Sequence, residues 1–268
     1  MSRALRGLFL GAVLIFLLSP IVVVGGVSLN AKKALYFPPK GVSLAWYAEL
    51  FGEPEWLLPI ANSLAVALLS SLGAISIALP LSYALWRYRV FYARALLLLG
   101  IAPFMLPPVI TALGFLAFWA TVGLYGTMAA TVVSHAVFFV TLPLVTLSLG
   151  FESIDREIVE AAQVLGADNR EVFRSIVFPM IRSYLVSGFA FAFVLSLNEY
   201  IVAYMVAGFT VETLPIKIFN ALRYGYTPVM AAVTIVFVLL AALVFGLIGR
   251  FGDLPRLMGA LTPESRAS

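Results

Sequence analysis

The sequence predicts an all-helical membrane protein with six transmembrane helices. Three observations carry this: apolar runs about as long as a bilayer is thick, basic residues confined to the short segments between and beside them, and arginines crowded into alternate links. Of the 268 residues, 62% are hydrophobic and 11% charged, against about half and about a quarter in soluble domains. A soluble globule of this size has too little interior to cover so much apolar surface.

Apolar runs of about 20 residues, the length that crosses the hydrocarbon core, fall at residues 8–28, 60–86, 95–119, 126–149, 184–207 and 228–249. They are continuously apolar rather than alternating, which predicts helices and excludes a barrel. The first run, behind Arg3 and Arg6 and ending near Gly25 and Gly26, also has the outline of a secretory signal. Its apolar stretch exceeds the usual 7–15 residues of such a signal, so a retained span is expected. Pro80, Pro103, Pro107, Pro108 and Pro143 fall within the runs. Each removes a backbone donor and bends a helix, either as ordinary kinked packing or as part of a bundle bent around a pathway.

Arginine placement predicts the orientation. Arg3 and Arg6 precede the first span, and Arg87, Arg89 and Arg94 crowd the link between the second and third. Arg156, Arg170, Arg174 and Arg182 lie between the fourth and fifth, and Arg250, Arg256 and Arg266 follow the sixth. The positive-inside tendency makes that side cytoplasmic, both termini included. Lys32, Lys33 and Lys40 after the first span run against this bias without outweighing it. The net charge of +4 is therefore a topology signal. Nucleic-acid binding is not expected, because the basic residues form no platform with aromatic side chains. With no cysteine and one histidine, disulfides and thiolate or multi-histidine metal centres are excluded.

Residues 152–182, between the fourth and fifth spans, are amphipathic where their surroundings are apolar. Ile154, Ile158, Ala161 and Leu165 recur at helical spacing, with Asp155, Arg156, Glu157 and Glu160 elsewhere on the surface. Ser153 is placed to cap this helix, Gly166 to stop it, and Asp168 with Glu171 to open a second helix ending near Pro179. Such a helix either lies on lipid headgroups or docks in a groove of a soluble partner.

The run Glu160-Ala161-Ala162, three residues, Gly166, nine residues, Ile176, one residue, Phe178-Pro179 resembles the EAA signature of ABC importer permeases. The one departure is Phe178, where leucine is usual. The resemblance implies that this segment is the coupling helix, seated in a cleft of a separate ATP-hydrolysing subunit. Glu160 would offer a carboxylate to that partner, Ala161 and Ala162 close approach, and Gly166 a sharp reversal. No phosphate-binding G-x-x-x-x-G-K-[ST] run occurs in the sequence.

The outer segment Tyr36-Phe37-Pro38-Pro39 through Trp46-Tyr47, and the run Ser196-Leu197-Asn198-Glu199-Tyr200 followed by Gly208, Thr213-Leu214-Pro215 and Ile218, resemble spermidine/putrescine permeases. Asn198 stands where that family has a first acid, and Phe209 where proline follows the glycine. Permeases of similar layout carry 4-aminobutyrate, aminoethylphosphonate, ferric iron or sulfur oxyanions. The resemblance implies the type I ABC importer fold as a single transmembrane domain over residues 1–268, in a bacterial inner membrane. It further implies a dimer of ATP-binding subunits that binds ATP and magnesium, leaving no cofactor, metal or catalytic residue to this chain. A second, related permease subunit, a periplasmic or surface binding protein and a small cationic amine as substrate complete the expectation.

Within the spans, Glu199 is the carboxylate that sequence places in lipid, roughly 22 Å of helix rise from Tyr184 and roughly 12 Å from Ala207. His135, about 14 Å below Gly126, falls at comparable depth. Gly188, Ala192, Ser196, Glu199 and Ala203 share one helical face, small and weakly polar. That face either packs a neighbouring helix or borders a cavity. Asn198, Glu199, Tyr200 and His135 are thus the expected pathway residues, His135 having the alternative of a buried structural donor. An ion-driven secondary transporter using Glu199 and His135 is the competing class. It calls for inverted repeats and several intramembrane charges, which the sequence does not display.

Overall fold

The computed structural model describes residues 3–88, 92–224 and 227–251. Arg89, Arg256 and Arg266, which entered the orientation argument, lie outside this range, as do the side chains of Arg3, Arg94 and Arg250. The described residues form helices and loops, with one isolated bridge between Asn30 and Val42. Four helices are long and apolar enough to cross a membrane, and two bent helix pairs bring the number to six if each pair is one span.

The chain divides into two compact units, residues 1–60 with 217–242 and residues 61–216 with 243–268. In the first, α1 (Arg3–Ser28) is an exposed apolar rod. Asn30 organises the loop that follows. Its amide donates to the carbonyls of Ala34 (3.1 Å) and Tyr36 (3.4 Å), and its Oδ1 accepts from the backbone N–H groups of Lys32 and Lys40. The short α2 (Ala45–Gly52) leads into α3 (Pro54–Arg87), which opens on a proline at the position where its missing N–H costs nothing. α12 (Leu214–Tyr224) and α13 (Val229–Phe251) finish the described chain, and Lys217 of α12 pairs with Glu55 at 2.5 Å.

The second unit holds the rest of α3 and the elements from α4 to α11. The third span, expected to be continuous over 95–119, is two helices, α4 (Ala93–Met105) and α5 (Pro108–Val122), meeting at 105°. Pro107 and Pro108 cause the break, since a residue before proline is driven out of the helical region and Pro107 is itself extended (ψ 132°). The fourth span bends by 42° between α6 (Met128–Phe139) and α7 (Thr141–Glu152), where Pro143 cannot donate to the preceding turn. Two apolar cores fill this unit. One gathers Ala74 and Ala78 of α3, Leu144, Leu147 and Phe151 of α7, and Ile181. The other gathers Ala112 and Trp119 of α5 with Ala130, Phe138 and Phe139 of α6.

The fifth span departs most from expectation. Its helix starts far earlier than residue 184. α9 (Asn169–Val172) runs through a π turn (Phe173–Val177) into α10 (Phe178–Asn198) without interruption. Pro179, expected to end a helix, is instead accommodated by the turn before it. The π turn widens the helix where the proline ring would meet the preceding turn and where its absent N–H leaves a carbonyl unpaired. At the other end the helix stops at Asn198, Glu199 is extended (φ −77°, ψ 128°), and a separate short helix α11 (Ile201–Ala207) begins. The predicted shared face of Gly188, Ala192, Ser196, Glu199 and Ala203 therefore ends at Ser196. Along the part that survives, Gly188 has a packing reason. A Cβ there would sit 2.5 Å from Thr146 Oγ1 and 2.7 Å from Pro143 Cα, so α7 and α10 approach this closely only with glycine.

Candidate functional site

Two sites emerge, one at each end of α10. The first is built on α8 (Arg156–Val164), between the fourth and fifth spans. Asp155, not Ser153, caps it: Asp155 Oδ1 accepts from the Glu157 N–H at 3.0 Å, while Ser153 instead closes the end of α7. At its far end the Ala167 N–H donates to Ala162 O and the Gly166 N–H to Gln163 O, both 3.0 Å, with Gly166 left-handed at φ +95°. This is a Schellman turn, and its left-handed position is where a side chain is strained. Asp168 then caps the next helix, its Oδ1 accepting from the Glu171 N–H at 2.7 Å.

The buried face of α8 differs from the one the spacing suggested. Val159 is buried and Ala162 half-buried against the core of Phe151, Ile154, Val172 and Val177. Ile158 and Leu165, expected on that face, point outward: buried Ile154 lies before the helix, and Leu165 after it, so the four expected residues do not form one helical face. The exposed side carries Glu160 and Ala161, and Val164 and Leu165 at its tip are each 88% exposed. Beyond the turn, Ile176 is half-buried within the π turn and Pro179 is exposed in the first turn of α10. A groove beside α8 is lined by Trp86, Arg87, Arg156, Val159, Glu160 and Gln163.

The second site lies where α10 breaks. Glu199 Oε1 accepts from the Val202 N–H (2.8 Å) and Oε2 from the Ala203 N–H (3.0 Å), so the carboxylate caps α11. Oε2 also lies 3.2 Å from Nε2 of the fully buried His135, an ion-pair separation whose angle is off that of a straight hydrogen bond. His135 Nδ1 is 2.8 Å from Ser196 Oγ, which is 3.1 Å from Ser70 Oγ. The ring also meets Phe139 edge-on, 5.8 Å between centroids. A polar chain thus crosses α3, α10, α6 and the break. Asn198 turns its amide back to Val194 O at 2.8 Å, and Tyr200 stacks on Tyr204 at 5.4 Å.

The structure brings Glu199 and His135 into contact, which their common depth alone did not establish. The sequence reading missed Ser70 and Ser196 as members of the network. Their signal was weak, two hydroxyls within apolar spans. It also missed Asp155 as the cap, although Asp followed by Glu in a first turn is a recognisable start.

Apolar helices long enough to cross a membrane, two bent helix pairs and a capped amphipathic helix between the fourth and fifth spans are the architecture of a polytopic membrane protein. The chain belongs to the family described as binding-protein-dependent transport system inner membrane component, whose model matches residues 72–253. It is a permease subunit of the ABC importer class. Among known proteins it is 31% identical over 246 residues to PotC, the spermidine/putrescine transport system permease of Haemophilus influenzae, covering 91% of this chain and 95% of that one. It is 30% identical over 244 residues to the putrescine transport permease PotI of Escherichia coli, covering 88% and 84%. Among solved structures, a chain of a bacterial ABC transporter that imports alginate superposes with a TM-score of 0.71 at 16% identity, covering 94% and 98%.

Proposed function

We propose that this chain carries a polyamine such as spermidine or putrescine, or a related small amine, across the inner membrane, driven by ATP hydrolysis in separate subunits. The observation that carries the ATP-driven part is the geometry of α8. It is capped at both ends, closed by a left-handed glycine and anchored through Val159, yet presents Glu160, Ala161, Val164 and Leu165 outward. An apolar tip of this kind beside a carboxylate suits a groove on a soluble partner better than a headgroup layer. That partner is a dimer of ATP-binding subunits, which holds the ATP and magnesium, and this chain contributes no catalysis. Ile176 and Pro179 set the turn that seats the segment on α10. The arginine-rich end faces the cytoplasm with both termini. A second, related permease completes the pathway, and a soluble binding protein delivers the solute from outside.

The two curated relatives, named for spermidine and putrescine, support the choice of solute. The break at Asn198–Tyr200 borders the pathway in this reading. Tyr200, stacked on Tyr204, offers an aromatic face of the kind that attracts an ammonium group. Glu199 and His135 contribute by holding the break in shape. The test is to express the chain with its ATP-binding, permease and binding-protein partners and reconstitute the complex in vesicles. ATP-dependent uptake of labelled spermidine or putrescine, with the ATP-binding subunits in stoichiometric association, is expected. A permease that purifies without them, or that takes up solute on an ion gradient alone, refutes the ATP-driven reading. An ATP-hydrolysing complex inert to every polyamine refutes only the solute.

A further inference from the structure

The docking helix α8 is tied to the end of α3 by a set of contacts that the EAA pattern does not contain. Four aromatic rings converge directly behind it. Tyr83 of α3 meets Phe173 of the π turn edge-on at 5.4 Å, Phe151 of α7 at 5.9 Å and Trp86 at 6.0 Å. Trp86 stacks on Phe151 at 5.6 Å. Val159 of α8 packs into the same core. From the outer side, Arg156 in the first turn of α8 donates from Nη2 to the Trp86 carbonyl at 3.2 Å. That carbonyl lies in the last turn of α3, where backbone oxygens lack helical partners and the helix dipole favours a cation. A second tie runs through Asn169, whose Oδ1 accepts from Gln163 Nε2 at 3.1 Å and from Arg87 Nη2 at 3.5 Å.

We propose that the Tyr83–Trp86–Phe151–Phe173 cluster, clamped by Arg156 on the Trp86 carbonyl, is the joint that passes displacement of α8 to α3. The inference rests on the reading that α8 docks on an ATP-hydrolysing partner. Its physical basis is stiffness. Four interlocked rings resist sliding past one another, since that leaves voids in a close-packed interior, and α8 is fastened to them by Val159 and by Arg156 on the Trp86 carbonyl, so α8 moves the end of α3 with it. The joint is asymmetric. On the α3 side the contacts are rings and a charged donor on a carbonyl. On the α10 side the Phe173 ring belongs to the cluster, and the widened backbone of the π turn that follows it, leading into α10, is the yielding part. Tyr83 and Arg156 are thus positioning residues that act through α3, touching neither solute nor nucleotide.

The experiment uses the reconstituted complex with its ATP-binding subunits, and reads solute imported per ATP hydrolysed, with retention of those subunits measured alongside. Tyr83→Leu keeps an apolar side chain but removes the ring. Arg156→Ala removes the clamp at an exposed position where folding is little affected. Each is expected to keep the ATP-binding subunits bound and hydrolysing while the import ratio falls about fivefold, a coupling loss of the usual size for such networks. Tyr83→Phe, which retains the ring, should restore the ratio. The proposal is overturned if both variants keep the wild-type ratio, or if import and hydrolysis fall in parallel so that the ratio holds. Loss of the ATP-binding subunits from the wild-type complex would instead strike the docking reading itself. Should Tyr83→Leu fail to assemble, Arg156→Ala alone decides.

Discussion

Replacing Glu199 with glutamine separates a capping role from a solute-binding one. The carboxylate receives two backbone N–H bonds, from Val202 at 2.8 Å and Ala203 at 3.0 Å, and faces His135 Nε2 at 3.2 Å. Glutamine keeps one oxygen, which can still serve one of the two donors. Its NH2 group then faces the other N–H, donor against donor. One charge-assisted bond is lost, worth about 1.5–3 kcal/mol. The expected cost is thus about 2–3 kcal/mol, which in a chain of this size lowers the melting temperature by about 4–12 °C. Glu199→Ala removes both acceptors and should cost more, about 3–5 kcal/mol, since two N–H groups are left unpaired. A double-mutant cycle with His135→Ala should show coupling of about 0.5–3 kcal/mol. The assay is thermal unfolding of the detergent-solubilised complex alongside uptake at matched protein level. If the glutamine variant melts with the wild type while uptake collapses, the cap does not hold the break and Glu199 meets the solute directly.

Gly166→Val should weaken association with the ATP-binding subunits several-fold while leaving the spans intact. The residue is left-handed at φ +95°, a conformation costing an L side chain about 1–2 kcal/mol, with no neighbour near a Cβ to obstruct one. Pull-down of those subunits measures it, and unchanged retention would show that the turn is not needed for seating. Orientation is tested by single cysteines in a chain that has none of its own. A membrane-impermeant thiol reagent applied to intact cells should label a cysteine at Lys40 and spare one at Asn169. Labelling of Asn169 from outside would invert the bundle and remove α8 from the reach of any cytoplasmic partner.

The segment around α8 was legible because its signals are local. Asp168 with Glu171, Gly166 after the last turn, and a polar face amid apolar spans each act within four residues, and the structure realises all three. Where the local reading failed, packing decided. Ser153 and Asp155 are both competent caps, and Asp155 prevails in a register that buries Val159 and turns Ile158 outward. The bend at Pro107-Pro108 was marked by its prolines but not its 105° angle, which no local rule supplies. Pro179 was misread because proline ends helices that stand alone. Here Phe173, Val177 and Ile181 on either side of it are held in one core, and continuing through a π turn costs less than exposing them. The break at Glu199 left no helix-breaker in the sequence at all. Its signal was the carboxylate itself, which in lipid needs donors, and a free helix N-terminus supplies two of them.

α10 joins the two sites. From Phe178 to Asn198 it spans 21 residues, about 30 Å of rise, and it continues into the π turn at one end and the Glu199 cap at the other. Between them it is fixed against α7 by Gly188 on Pro143 and Thr146, and its Ser196 ties to α3 and α6 through Ser70 and His135. Both ends of this helix depend on donors and acceptors released by a backbone irregularity. The π turn absorbs the proline of the EAA pattern, and the break at Glu199 opens the N–H groups that the carboxylate satisfies. At membrane depth, where the break at Glu199 falls, irregular backbone persists only where protein surrounds it. Here the surroundings are named side chains: Tyr83 and Phe178 about Phe173, and His135 about Glu199. The two irregularities are thus built into the helix that runs from the end of the α8 segment to the level of the expected pathway. α3 meets this continuous helix at both levels, through Tyr83 on Phe173 of the π turn and Ser70 on Ser196 of α10, so a shift of α3 that carries the π turn with it strains the Ser70–Ser196 contact at the other end.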